Sequence, residues 1–210
     1  MIGFDCEWVS AGSNGSSSSV SSSSPSTSPP SHDPAPQPGQ VSLLQISTSS
    51  GLCILVRLLK LVAVEDGEAD TEEIGVEKRG LPETLRELLK DKSVLKLGVG
   101  LKEDSTRLLK DHGIEVKGCL DLRHLAVVKS AAARDLQEAE KSGSIGLNAL
   151  VETVLRQTLA EKPSTYHKIR RSNWEADSLS EEQLQLAANK AFVALDIFRE
   201  STLSKMRGNR

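Results

Sequence analysis

Asp5 and Glu7 are the first residues along the chain whose types and spacing could do chemistry. They stand two apart in Ile2-Gly3-Phe4-Asp5-Cys6-Glu7-Trp8, an apolar run that reads as a strand, and strand residues two apart leave the same face. Two carboxylates on one face beside a core are costly unless something cationic neutralises them. Such a pair either reaches a common divalent ion or is solvated decoration on an exposed strand edge. A third acid, Asp104, follows an apolar strand that closes on Gly98 and Gly100, and falls in the first turn of the next helix. It joins the same ion or, as Glu103 could, simply favours the positive end of the helix dipole. Further on, Lys162, His167, Lys168, Arg170 and Arg171 form a basic stretch with Tyr166 and Trp174 beside it. Phosphate contact by Lys or Arg plus stacking on an aromatic is what single-strand binding needs. Lys168, Arg170 and Arg171 are therefore the candidate nucleic-acid contacts; the alternative is a solvated loop with Trp174 packed in the core. His32, His112 and His124 show no ligand spacing.

The elements that must position these residues alternate along the chain. Strands are expected over Met1–Val9, Val41–Ser47, Leu52–Leu58, Val94–Val99 and Val116–Leu122, where β-branched and apolar residues cluster between turn signals. Helices are expected from Pro82 through Leu89, over Lys102–His112 with a stop at Gly113, and then over about 123–140, 147–157 and 180–204. The order predicts an α/β fold, a mixed sheet with helices on both faces and a C-terminal helical portion.

Charge and composition set limits on this frame. The 210 residues carry 29 acids and 26 bases, a formal charge of -3, which suits neither a DNA-wrapping nor a membrane-surface protein. Residues 10–40 hold 13 serines, six of the eight prolines and a single charge, Asp33, so this stretch reads as a disordered insertion. Residues 63–80 hold seven acids against Lys78 and Arg79 and read as a solvated acidic loop. The rest suffices for one domain across 1–210. The longest apolar run, Leu52–Val64, is broken by Arg57 and Lys60, so no membrane span is expected. Cys6, Cys53 and Cys119, odd in number and set among apolar residues, read as buried reduced thiols of an intracellular protein.

Four motifs together, Phe4-Asp5-Cys6-Glu7-Trp8, Ser42-Leu43-Leu44-Gln45-Ile46, Gly98-Val99-Gly100 with Asp104, and Arg170-Arg171-Ser172-Asn173-Trp174, resemble in order and spacing the RNase D and Werner-type 3′-5′ exonuclease domains. These belong to the DEDD, or DnaQ-like, superfamily, and the resemblance implies a ribonuclease-H-like fold. It also implies two divalent ions, Mg²⁺ or Mn²⁺, held by Asp5, Glu7 and Asp104, and hydrolysis from the 3′ end of single-stranded DNA or RNA in the nucleus or mitochondrion. The family pattern adds a tyrosine and, four residues later, an aspartate on the last helix; counted without gaps, these positions fall on Leu186 and Lys190. A shifted register would use Phe192 and Asp196 instead, but six residues turn a helix by about 240° and point Asp196 elsewhere. The resemblance thus implies a 3′-5′ exonuclease impaired by these replacements. The alternative is a catalytically inactive relative that binds nucleic acid or protein.

Overall fold

The computed structural model describes residues 1–10, 39–62, 81–129, 145–158 and 163–207. The insertion at 10–40 lies, but for its ends, outside the described residues, as do the acidic segment 63–80, Lys162 and the 130–140 part of the helix expected over about 123–140.

Among the described residues five strands form one mixed sheet: β1 (Ile2–Trp8), β2 (Val41–Ser47), β3 (Cys53–Arg57), β4 (Lys96–Gly98) and β5 (Cys119–Asp121). Their spatial order is β3-β2-β1-β4-β5, with β1 antiparallel to β2 and parallel to β4. The central strand is therefore the one that carries Asp5 and Glu7. In its register Gly3, Asp5 and Glu7 stand opposite Ser47, Gln45 and Leu43. The chain leaves β1 at Val9, whose carbonyl accepts a 2.9 Å bond from the Gly39 amide, so the ends of the Ser/Pro insertion meet.

Seven helices flank the sheet among the described residues: α1 (Leu58–Val62), α2 (Glu83–Lys90), α3 (Leu101–His112), α4 (Leu122–Lys129), α5 (Leu147–Leu150), α6 (Pro163–Arg170) and α7 (Glu181–Arg207). Alternation along β1 decides what lies on each side. Phe4 and Cys6 pack with Leu44, Ile46, Leu89, Leu101 and Leu108 under α2 and α3. The Asp5 side of the sheet meets α7, whose Ala187, Ala191 and Ala194 are all buried. This small-residue stripe lets the helix lie close to the sheet: a Cβ built on Gly3 would sit 1.9 Å from the Ala191 carbonyl oxygen, and Ser47 Oγ donates to that oxygen at 2.8 Å. The helix start is fixed by a capping box. Ser180 N donates to Gln183 Oε1 at 2.9 Å, Gln183 N donates to Ser180 Oγ, and Gln183 Nε2 donates to Ser172 Oγ and the Asn173 carbonyl.

The structure differs from the sequence reading in several places. The strands expected over 94–99 and 116–122 shorten to three residues each because only those pair with a neighbour. The basic stretch is no loop: Pro163, with its preset φ, opens helix α6. The expected 147–157 helix changes after Leu150 into a π-type turn over Val151–Leu155, closed by Arg156 at φ 54°. All three cysteines are free, but only Cys6 is buried; Cys53 and Cys119 sit on the two strands that end the sheet among the described residues, and Cys119 is exposed. No described helix is long and apolar enough to cross a membrane.

Candidate functional site

Three elements converge at the C-terminal half of β1. The strand sends Asp5 and Glu7 to the α7 side, as the two-residue period requires. Beside it β4 ends in Gly98, where a Cβ would lie 2.4 Å from the Phe4 carbonyl oxygen, so only glycine lets the two strands run this close. The chain then turns through Gly100 at φ 80°, its amide held by Asp121 Oδ2 at 2.9 Å, and enters α3. That turn puts Asp104, in the first turn of α3, in the lining of one cavity with Asp5 and Glu7; it is buried, and among the described residues its Oδ2 has no hydrogen-bond partner.

The fourth participant comes from α7. Lys190 reaches down from the helix and places its Nζ 2.6 Å from Asp5 Oδ2 and 2.6 Å from Glu7 Oε1. The Glu7 contact has hydrogen-bond geometry, whereas Asp5 Oδ2 forms an ion pair without it. All three side chains are nearly closed off from solvent, at 12%, 13% and 5% exposure for Lys190, Asp5 and Glu7. Burial alone would lower the lysine pKa, but the charges of Asp5 and Glu7 outweigh it and hold the ammonium protonated well above its ordinary range. Burial raises the Glu7 carboxyl to about 7 against the pull of Lys190, and raises Asp104 well above the usual carboxylate range, with the charge of Asp5 adding to it. A cluster of three acids is thus stable here because a lysine has been built into it.

These residues surround a cavity of about 490 Å³ that Tyr166 and Arg170 of α6 also line. Of the three basic residues singled out in the sequence, Arg170 reaches this cavity; Lys168 and Arg171 are exposed and do not line it, because they leave other faces of the helix and its end. Trp174 is a core residue, fully buried, its indole N–H donating to the Arg170 carbonyl at 3.0 Å. Leu186, one turn before Lys190, is buried against Leu43, Tyr166 and Trp174. Asp196 is exposed and paired with Arg199 at 3.1 Å, so the shifted register places no acid in the site.

The donor set does not fit a pair of divalent ions. The space between Asp5 and Glu7 that a first ion would take is filled by the Lys190 ammonium, and among the described residues no group of three His, Cys, Asp or Glu side chains is disposed to hold a metal. Sequence reasoning found Asp5, Glu7, Asp104 and the replacement at 190. It missed that the lysine points inward and that Tyr166 and Arg123 line the cavity. The signal for Tyr166 was its spacing of four from Arg170, visible once Pro163 is read as a helix start.

Comparison with known proteins agrees with the resemblance. A family model described as 3′-5′ exonuclease matches residues 31–203. The chain is 35% identical over 198 residues to human exonuclease 3′-5′ domain-containing protein 2, covering 94% of this chain and 24% of that protein. The Drosophila melanogaster protein of the same name is 32% identical over 200 residues, covering 95% and 25%. Among solved structures, the EXD2 exonuclease domain is 33% identical, covers 94% of this chain and 73% of that one, and gives a TM-score of 0.42. The same domain soaked in Mn and dGMP is 34% identical, covers 95% and 75%, and gives 0.40. The chain spans about a quarter of the length of these curated relatives.

Proposed function

Because this chain belongs to the 3′-5′ exonuclease family, we propose that its domain engages the 3′ end of a single DNA or RNA strand and hydrolyses it at most slowly. The observation that carries this reading is the Lys190 ammonium seated between Asp5 and Glu7 at 2.6 Å from each. A divalent ion in such a site supplies a Lewis acid and a nucleophilic water. An ammonium supplies charge alone, since it has no open coordination position. Lys190 therefore keeps Asp5 and Glu7 together, and with them the shape of the cavity, without providing the chemistry. Leu186 has no polar atom with which to orient an attacking water. Asp104, and Asp5 shared with Lys190, remain for no more than one Mg²⁺ or Mn²⁺, the ions soaked into crystals of the related EXD2 domain together with GMP or dGMP.

The test uses a single strand labelled at its 3′ end, with binding read by anisotropy and cleavage by label release. The natural chain should bind the strand and release label slowly. The double substitution Leu186→Tyr with Lys190→Asp should raise release by roughly a hundred- to a thousandfold, the usual worth of one stabilising element in a transition state. Equal rates for the two proteins, with the natural chain fast, would contradict the reading, and so would failure of the natural chain to bind the strand.

A further inference from the structure

Helix α6 gives three residues to the lining of the cavity, Tyr166, His167 and Arg170, of which the first and last are unlike in chemistry and share a face. Tyr166 and Arg170 are four residues apart, hence on one face of the helix, and both line the space beside Asp5, Glu7 and Lys190. Tyr166 is the chain's single tyrosine. The residue is 7% exposed and belongs to the cluster of Leu43, Trp174, Leu186 and Ala187, so packing within that cluster fixes the ring. The phenol stands near enough to charge for Lys190 and Arg170 to pull its pKa down and for Asp5 and Glu7 to push it up, against a larger rise from burial. It therefore remains a neutral O–H donor at the cavity wall. Arg170 has its backbone carbonyl tied to Trp174, which anchors the residue, and it lines the cavity from an exposed position with its charge acting on Glu7 and Tyr166.

We propose that Tyr166 and Arg170 are ligand-contacting residues: the phenol O–H and the guanidinium together hold a phosphate group of the strand end in the cavity. This rests on the function proposed above. The chemistry matches because a phosphodiester offers only acceptor oxygens and one negative charge. A neutral donor and a planar cation one helical turn apart can bond to two of those oxygens, in a site where Lys190 is already committed to carboxylates. A purely structural Tyr166 would need its ring but not its hydroxyl.

The experiment separates ring from hydroxyl. Tyr166→Phe keeps the packing and should leave the melting temperature nearly unchanged while weakening single-strand binding about tenfold, the worth of a hydrogen bond to a charged group. Arg170→Gln should weaken binding by at least as much and flatten its dependence on salt. With one tyrosine in the chain, incorporation of 3-fluorotyrosine gives one ¹⁹F resonance, which should shift on adding the strand and not on adding a nucleoside that lacks phosphate. If the strand binds the natural chain but Tyr166→Phe binds equally well and the resonance does not move, the assignment of Tyr166 is overturned while the proposed function stands. If the strand does not bind the natural chain, both fall. If Tyr166→Phe loses melting temperature in parallel with affinity and the resonance is unmoved by the strand, the tyrosine is structural and the proposal is again overturned.

Discussion

Replacing Lys190 by methionine, a side chain of similar length with no charge, removes the one cation that, among the described residues, touches both Asp5 and Glu7. The two carboxylates are then buried on one strand face without a counter-ion. Removing one partner of a buried ion pair typically costs about 3–5 kcal/mol. The lower end applies here, because the Glu7 carboxyl already sits at about 7 through burial and can take up a proton to relieve the repulsion. About 3 kcal/mol in a domain of this size lowers the melting temperature by roughly 6–12 °C. The deficit should depend on pH with a definite sign. Glu7 is raised in the folded state, so the fold holds a proton that the unfolded chain releases, and the variant should lose stability as pH rises from about 4.5 through 7 and beyond. Thermal unfolding followed by circular dichroism at pH 5, 6, 7 and 8, in EDTA and in Mg²⁺, reads all of this. Mg²⁺ should restore much of the loss in Lys190→Met, because the space between the carboxylates is now open to an ion, and should stabilise the natural chain far less. A variant that melts with the natural chain in EDTA at pH 8 would mean that Lys190 does not neutralise these acids.

Other substitutions probe the scaffold behind the site. Gly3→Ala puts a methyl 1.9 Å from the Ala191 carbonyl oxygen, a backbone atom that cannot swing away, so β1 and α7 must separate. Urea unfolding should show a loss of about 1–3 kcal/mol or more. Gln183→Leu breaks the capping box and the bonds to Ser172 and Asn173, and should cost about 1–2 kcal/mol by the same assay. Deletion of Ser13 to Pro38 should leave the melting temperature nearly unchanged, because the segment has almost no apolar side chains and its ends already meet at Val9 and Gly39; a large fall would show that the segment packs.

How far the sequence spoke differs from one residue to the next. Asp5 and Glu7 were legible because strand alternation is a local rule, and their apolar neighbours located that strand in the core. The glycines before Asp104 were equally plain: a strand that ends in Gly98 and Gly100 before a helix leaves the following acid little freedom. Lys190 was legible as a replacement but not as a contact. On a helix a lysine ordinarily turns to solvent, and only the Ala187–Ala191–Ala194 stripe, which seats α7 against β1, decides that this one turns inward. Helix α6 is not among the helices expected from the sequence, because its short, basic, weakly periodic stretch gives propensity little to work with; tertiary packing of Tyr166 and Trp174 settles it. The short strands β4 and β5 show the same limit, since their ends are set by pairing partners far away in sequence.

The central claim is that Lys190 is the resident cation of this site, and the number of divalent ions bound tests it most directly. Mn²⁺ titrated into the natural chain and into Lys190→Asp, with bound ions counted by calorimetry and by loss of the free-ion paramagnetic signal, should give no more than one ion for the natural chain and two for the variant. Two ions bound to the natural chain with Lys190 in place would contradict the account.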